Sequence, residues 1–107
     1  MAKKLPFTLL YAPIVAEHLN AIDAKYDSLI REKIEEQLRY EPDTETRNRK
    51  PVEQPVAFQA EWELRFGPNN RFRVFYQIDN NNHEVHVVAV GIKVRNRLFV
   101  GGEEVTL

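Results

Sequence analysis

Two runs of alternating hydrophobic and polar residues flank a short polar turn in the second half of the chain. The hydrophobic positions are Phe58, Ala60, Trp62, Leu64 and Phe66 before the turn, and Phe72, Val74, Tyr76 and Ile78 after it. A period of two is typical of strands with one buried face. The turn is Gly67-Pro68-Asn69-Asn70, in which Gly67 and Asn69 or Asn70 tolerate a positive φ and Pro68 presets its own. The pattern predicts a β-hairpin, and it places Glu61, Glu63, Arg65, Arg71, Arg73 and Gln77 opposite the apolar set.

The N-terminal half changes from a strand pattern to a helical one. Residues 5–11 are apolar except for Thr8 and predict a first strand. Pro13 then opens a helix, because proline is tolerated in the first helical turn. That helix repeats Val15, Leu19 and Ile22, and a second one repeats Ile30, Ile34 and Leu38 until Pro42 ends it. Two helices joined by a short break predict an antiparallel helical hairpin.

The remaining segments complete the predicted order of elements. Residues 43–55 show no periodicity and predict a long connection. After a turn at 79–82, the valine-rich run 84–90 predicts a strand that is covered on both faces and is therefore central. Residues 91–102 nearly close the chain, and 103–107 form a short tail. The expected fold is α+β in one domain spanning 1–107: an N-terminal strand, an antiparallel helical hairpin and a three-stranded antiparallel meander.

Composition narrows the possible chemistry. The chain has no cysteine, which excludes disulfides, thiolate metal sites and cysteine nucleophiles. No apolar run is long enough to span a bilayer, and the start does not resemble a signal sequence. We therefore expect a soluble cytoplasmic protein without membrane contact. His18 has no acidic or histidine partner at a metal-ligand spacing. We expect structural roles for His18, His83 and His86, and no metal or other cofactor.

The charge distribution is more informative than the total. A net charge of −1 argues against a generally basic nucleic-acid-binding domain. Between residues 64 and 100, however, only Asp79 and Glu84 oppose six basic residues, which are Arg65, Arg71, Arg73, Lys93, Arg95 and Arg97. A second basic run, Arg49 and Lys50, lies in the long connection that leads into the hairpin. Such residues either bind an anionic ligand or solvate an exposed sheet face.

Taken together, these segments resemble the RelE/ParE superfamily of toxins from type II toxin-antitoxin systems. The resemblance covers nearly the whole chain. Its most specific parts are Trp62-Glu63-Leu64-Arg65, Phe72-Arg73-Val74-Phe75-Tyr76 and Ala89-Val90-Gly91 with Lys93 beyond it. Arg49-Lys50-Pro51 in the long connection adds to it.

The resemblance implies a toxin held inactive by a cognate antitoxin. In the best-known branch, the toxin enters the ribosome and cleaves mRNA without a metal, through attack of a ribose 2′-hydroxyl on the adjacent phosphate. That chemistry needs a base, an acid and fixed cations. The resemblance assigns catalytic roles to Arg73, Arg65, Lys93 and Glu53. It assigns RNA contacts to Arg49, Lys50, Arg71, Arg95 and Arg97.

Several positions depart from the ribosome-dependent branch. Glu61 and Glu63 stand where that branch carries lysines, Phe99 stands where it has a proton-transferring tyrosine, and Glu53 lies one residue beyond the position of a glutamate base in some relatives. Three alternatives therefore stay open beside mRNA cleavage. The chain is a ParE-like inhibitor that binds DNA gyrase without hydrolysis, or a degenerate toxin that acts in antitoxin binding and autoregulation, or its arginines only solvate the sheet.

Overall fold

The structure is a computed structural model, and it describes residues 5–52 and 58–106. Two α-helices and seven strands are present in these ranges. The helices are α1 (Val15–Asn20) and α2 (Asp27–Leu38). The strands are β1 (Thr8–Tyr11), β2 (Arg49–Pro51), β3 (Trp62–Phe66), β4 (Phe72–Asp79), β5 (Glu84–Val94), β6 (Arg97–Val100) and β7 (Glu103–Val105).

One mixed sheet contains all of these strands. Antiparallel neighbours follow the order β2-β3-β4-β5-β6-β7, so that each strand pairs with the next one along the chain. The N-terminal strand β1 instead pairs in parallel with the first half of β5, from Glu84 to Val87. The second half of β5, from Gly91 to Val94, pairs with β6 on that same edge. The long strand β5 therefore holds together β1, β4 and β6.

The main core lies between the helices and one face of the sheet. Ile30, Ile34 and Leu38 of α2 are fully buried, as their spacing predicts. The facing sheet positions in this core include Leu64, Phe72, Val74, Tyr76, Val85 and Val87. Full burial of one such side chain stabilises the fold by about 1.5–3 kcal/mol. The aromatic ring of Tyr76 packs here, and its hydroxyl donates to the carbonyl of Pro42 at 2.7 Å.

A smaller apolar cluster covers part of the opposite sheet face. Phe75, Ala89, Leu98 and Val100 are buried there, and Phe58 packs against them. The ring centroids of Phe58 and Phe75 are 5.7 Å apart. Phe75 belongs to the polar side of the hairpin in the sequence pattern, and this cluster explains why an aromatic residue stands there.

His18 closes a gap on one edge of β5, between the part paired with β1 and the part paired with β6. The pairing with β1 ends at Val87, and the pairing with β6 begins at Gly91. In the gap, the backbone N–H of Val90 donates to Nδ1 of the buried His18 at 3.3 Å. A buried backbone N–H without a partner is costly, so this contact stabilises the sheet at its interruption.

The predicted order of elements is confirmed, and several boundaries differ. The first strand begins at Thr8, α1 ends at Asn20 before the predicted helical residue Ile22, and β3 begins at Trp62. Phe58 and Ala60, predicted on the same face as Leu64, belong instead to the smaller cluster on the opposite sheet face.

Residues 43–55, expected to be a structureless connection, contain β2, which pairs with β3. The third strand runs past the expected residue 90 to Val94, and β6 and β7 extend the sheet beyond the three-stranded meander. Alternation between residues 91 and 105 is short and interrupted by Asn96, Gly101 and Gly102, which hid these strands from periodicity. No helix in the described ranges is long and apolar enough to cross a bilayer.

The contact between His18 and Val90 predicts a pH-dependent stability. Burial lowers the pKa of His18 below its ordinary value of 6.5, against a smaller opposing effect of Glu17. The neutral ring is therefore favoured in the folded state. Its contribution is present above pH 6.5 and is lost as the pH falls through the folded-state pKa, because the unfolded chain binds the proton first.

We expect the free energy of unfolding in urea to fall between about pH 7.5 and about pH 5, and to fall less in His18→Asn. Asn20→Ala, which alters an exposed residue without an ionisable side chain on the same helix, is the control and should keep the wild-type pH dependence. Equal pH slopes for His18→Asn and wild type would contradict the role of His18.

Candidate anion-binding groove

Basic side chains gather on the sheet face that points away from the main core. Antiparallel register places Arg65 of β3 directly opposite Arg73 of β4, and Arg73 directly opposite Gly91 of β5. Lys93 follows two residues after Gly91 and therefore lies on the same face. The structure thus brings together three residues that the sequence assigned to one surface.

Gly91 is required by the close approach of β6. A Cβ atom at this position would lie 2.7 Å from the carbonyl oxygen of Phe99 and 2.9 Å from Cγ2 of Val100. Any side chain would push β6 away from β5. The glycine that contributes to the family resemblance therefore has a packing reason, next to Arg73.

Glu63 holds both hairpin arginines through one carboxylate oxygen. Nη1 of Arg73 donates to Oε1 of Glu63 at 2.6 Å, and Nε of Arg65 donates to the same oxygen at 2.8 Å. Only 9% of the Arg73 side chain and 10% of the Glu63 side chain are exposed, against 40% for Arg65. Hydrogen bonds between ionised groups are short and strong, and burial removes competing water. Arg73 is consequently fixed in place and paired with a negative charge.

The turn before β4 fixes the other side of Arg73. Nε of Arg73 donates to the carbonyl oxygen of Asn70 at 2.9 Å. Gly67, Asn69 and Asn70 all have positive φ, at 83°, 57° and 51°. These are the residue types that tolerate this region, as the sequence predicted. The conformation of the turn therefore directs the carbonyl of Asn70 toward Arg73.

Beyond Arg73 lies an open groove of about 370 Å³. Its lining residues are Pro68, Asn69, Arg71, Arg73, Lys93, Val94, Arg95 and Asn96. Four of them are cations, and none of these eight described residues is acidic. Such a lining favours a negatively charged ligand or surface.

The outer cations of the groove are positioned by local backbone structure. The N–H of Lys93 donates to the carbonyl of Arg71 at 2.6 Å, which ties the two residues together. The Arg71 guanidinium lies 5.6 Å from the ring centroids of both Tyr26 and Phe72, within cation–π range. Arg95 and Asn96 form the two-residue turn between β5 and β6, with φ of 51° and 69°. Arg95 is therefore displayed at an exposed hairpin tip.

Arg49 lies apart from the groove. It pairs with Leu64, so its side chain points to the helical face of the sheet. Its Nε donates to the carbonyl of Thr44 at 2.9 Å, and its Nη1 donates to the carbonyl of Gln37 at 2.8 Å in the last turn of α2. A cation bound to carbonyls at a helix C-terminus stabilises that helix. These contacts give Arg49 a structural role, and its expected RNA contact stays a prediction.

Three other predicted residues, Arg65, Lys50 and Arg97, are not among the lining residues of the groove. Lys50 is on the edge strand β2, with Nζ 3.5 Å from Oε2 of Glu45. Arg97 is 71% exposed, and its Nε lies 3.5 Å from Glu104. Glu53, the proposed base, lies outside the described residues.

The candidate proton-transfer residues are also placed elsewhere. Oε1 of Glu61 accepts the N–H of Ile78 at 3.1 Å, beside a separate depression that contains Asp79 and His86. Phe99 pairs with Ile92, whereas its neighbour Leu98 pairs with Lys93. Phe99 therefore faces away from Lys93. Tyr76 is buried in the core, and burial raises the pKa of its hydroxyl well above the ordinary value.

One cluster has side chains of the kind that bind metals. The ligand atoms of Asp79, Glu84 and His86 lie within 4.8 Å of one another. Hydrogen bonds from Asn82 lower the pKa of Asp79 and already engage both of its carboxylate oxygens. His86 Nε2 lies 3.2 Å from Glu84. The expectation of a metal-independent protein stays a prediction.

Glu63 is the residue whose role sequence reasoning missed. The alternation placed Glu63 and Arg65 two residues apart on one strand face, which was the available signal. The cross-strand partner is not visible in the sequence, where Glu63 stands out only as a departure from the lysines of the ribosome-dependent branch. The register of β3 on β4 is what brings Arg73 to the same carboxylate oxygen.

Comparisons with known proteins show the family and the fold of the chain. The sequence model for the ParE toxin of type II toxin-antitoxin systems, parDE, matches residues 9–97. No curated protein sequence matches the chain significantly. Among solved structures, the toxin-antitoxin complex RelBE2 from Mycobacterium tuberculosis contains a similar chain, at 18% identity and a TM-score of 0.66. The match covers 87% of this chain and 98% of that one, and it shows a shared fold.

The buried ion network makes Glu63 important for stability. We expect Glu63→Ala to lower the free energy of unfolding by about 3–5 kcal/mol, because it leaves Arg73 buried without a counterion. Glu63→Gln keeps an acceptor oxygen, so its loss should be smaller, about 1–3 kcal/mol. Glu45→Ala, which removes an exposed ion pair with Lys50, is the control and should cost at most about 1 kcal/mol. Urea denaturation measures all three, and equal losses for Glu63→Ala and Glu45→Ala would contradict this account.

Proposed function

Because the chain belongs to the ParE toxin family of type II toxin-antitoxin systems, we propose that it is a toxin that inhibits its cellular target by binding to it. The proposed target is DNA gyrase, the target of the ParE-like alternative that the sequence left open beside mRNA cleavage. The observation that carries the proposal is the Glu63 carboxylate, which is hydrogen-bonded to Arg73 at 2.6 Å and to Arg65 at 2.8 Å.

Cleavage of RNA needs more than this groove supplies. A base must accept the 2′-hydroxyl proton, an acid must protonate the leaving oxygen, and uncompensated cations must stabilise the phosphoryl charge. The eight described lining residues include no His, Asp, Glu or Tyr. Guanidinium groups stay protonated, so arginine does not act as the base. Arg65 and Arg73 also already share a carboxylate.

The same groove is suited to binding a macromolecular surface. Arg71, Lys93 and Arg95 stand at its open side, with the exposed apolar side chain of Val94 among them. Charges of one sign around an apolar residue accelerate encounter with an oppositely charged surface and fix its orientation. An acidic patch on the target is the complementary partner for this arrangement.

The partner that restrains the toxin is a cognate antitoxin in this proposal. Two findings support it: the matched family model describes the toxin of a two-component system, and the similar solved chain comes from a toxin-antitoxin complex. The antitoxin would keep the toxin from its target until it is removed.

Cleavage of mRNA on the ribosome is the second candidate. Lys93 favours it, because this amine lines the groove together with Arg73 and is able to transfer a proton. In that mechanism Arg73 would contact the phosphate, and Glu63 would have to release it first.

Induction of the chain without an antitoxin distinguishes the two candidates. We expect incorporation of labelled thymidine to fall within minutes and before incorporation of methionine, because inhibition of gyrase stops replication. The purified chain should also inhibit supercoiling of relaxed plasmid by gyrase. An earlier loss of methionine incorporation, with new 5′ ends in mRNA, would establish cleavage instead. A growing culture with both signals unchanged would indicate a degenerate toxin that acts in autoregulation.

A matched pair of charge reversals tests the groove. Lys93→Glu places a negative charge inside the groove, so we expect toxicity to fall at least about tenfold in terms of the inducer needed for growth arrest. Arg97→Glu makes the same charge change on the neighbouring strand, outside the groove, and should leave toxicity within about twofold. Both residues are solvent-accessible, so thermal unfolding should confirm that both variants fold. Equal loss of toxicity in both variants would remove the groove from the binding site.

A further inference from the structure

The ion network on the hairpin has the arrangement of a liganded anion site. Two arginines from adjacent strands, Arg65 and Arg73, converge on a single oxygen atom, and a backbone carbonyl of the turn holds the second of them. Guanidinium pairs of this kind bind phosphate oxygens when a phosphate is present. Here the oxygen belongs to Glu63 of the same chain.

An external anion has to compete with this internal carboxylate. Glu63 is attached to the strand that carries Arg65, so it loses no translational freedom on binding the arginines. The Glu63 and Arg73 side chains are about nine-tenths buried, and charges interact more strongly there than in water. A phosphate approaching Arg73 would also be repelled by the carboxylate. The contact of the arginines with Glu63 is therefore favoured over binding of an external anion, unless that anion is concentrated or multivalent.

We propose that Glu63 is a specificity-determining residue that occupies a latent phosphate site formed by Arg65 and Arg73, and thereby keeps the groove from binding phosphate. Anion contacts of the wild-type chain are then limited to the outer cations Arg71, Lys93 and Arg95. This inference concerns ligand selection by the isolated chain and does not depend on the identity of the cellular target.

The site is predicted to open when the charge of Glu63 is removed and its shape is kept. In Glu63→Gln, the amide oxygen still accepts a hydrogen bond, while the two guanidinium groups gain an uncompensated positive charge. We expect the dissociation constant for inorganic pyrophosphate, measured by NMR titration at low ionic strength, to fall at least about tenfold relative to wild type. Added salt should reduce the gain.

Two controls separate this effect from a general change in charge. Glu61→Gln removes an equal charge two residues earlier, from an exposed side chain beside a different depression, and should change the affinity less than about twofold. Adding Arg65→Gln to Glu63→Gln should remove most of the gain, because one of the two arginines of the site is lost. A residue with only a structural role would lower stability without raising affinity.

Wild-type protein provides a test that does not require a variant to fold. The Nε–Hε signals of Arg65 and Arg73 should stay unchanged during pyrophosphate titration. Glu63 retains Nε of Arg65 and Nη1 of Arg73, and the carbonyl of Asn70 retains Nε of Arg73. Shifts of these two signals with the same midpoint as the signal of Arg71 would overturn the proposal. So would equal pyrophosphate affinities of a folded Glu63→Gln variant and wild type.

Discussion

Strand β5 is the constraint around which the molecule is assembled. Its first half binds β1 in parallel, its second half binds β6, and β4 runs along its other edge. Between the two halves, one backbone N–H is bound by His18 of α1 instead of by a strand. The N-terminal strand and helix are thereby attached to the C-terminal half of the chain. The same strand carries Gly91 and Lys93, so the position of the groove follows from the way β5 is held.

The groove and the hairpin face beside it carry two kinds of cation that differ in their availability. Arg73 and Arg65 are neighbours across strands and share the Glu63 carboxylate, while Arg71, Lys93 and Arg95 line the open side. A buried ion pair often adds little net stability, because desolvation opposes the attraction, yet it fixes one geometry. Glu63 thus limits which ligands the groove binds. A ligand can bind the outer cations while Glu63 stays in place, whereas direct phosphate contact with Arg73 requires displacement of the Glu63 carboxylate.

This division of charges bears on the two activities associated with toxins of this superfamily. A nuclease uses its cations at the moment when charge develops on the phosphate, and preorganised but neutralised arginines are poorly suited to that step. A binding inhibitor needs only a complementary surface and gains from rigid anchors. Membership of the ParE toxin family makes the chain a toxin of a type II toxin-antitoxin system, and the arrangement of Glu63 is the observation that supports our proposal of inhibition by binding.

Local sequence pattern alone predicted the helices, the hairpin with its Gly67 and Asn69-Asn70 turn, and the central strand β5. It also placed Arg65, Arg73 and Lys93 on one face. Periodicity and turn chemistry are properties of neighbouring residues, so the sequence suffices for them. Strand β2, the β6–β7 hairpin, the inward orientation of Arg49 and the role of Glu63 were decided by tertiary structure. Each depends on which residue lies opposite on another strand or helix, and that register is set by packing of the whole sheet.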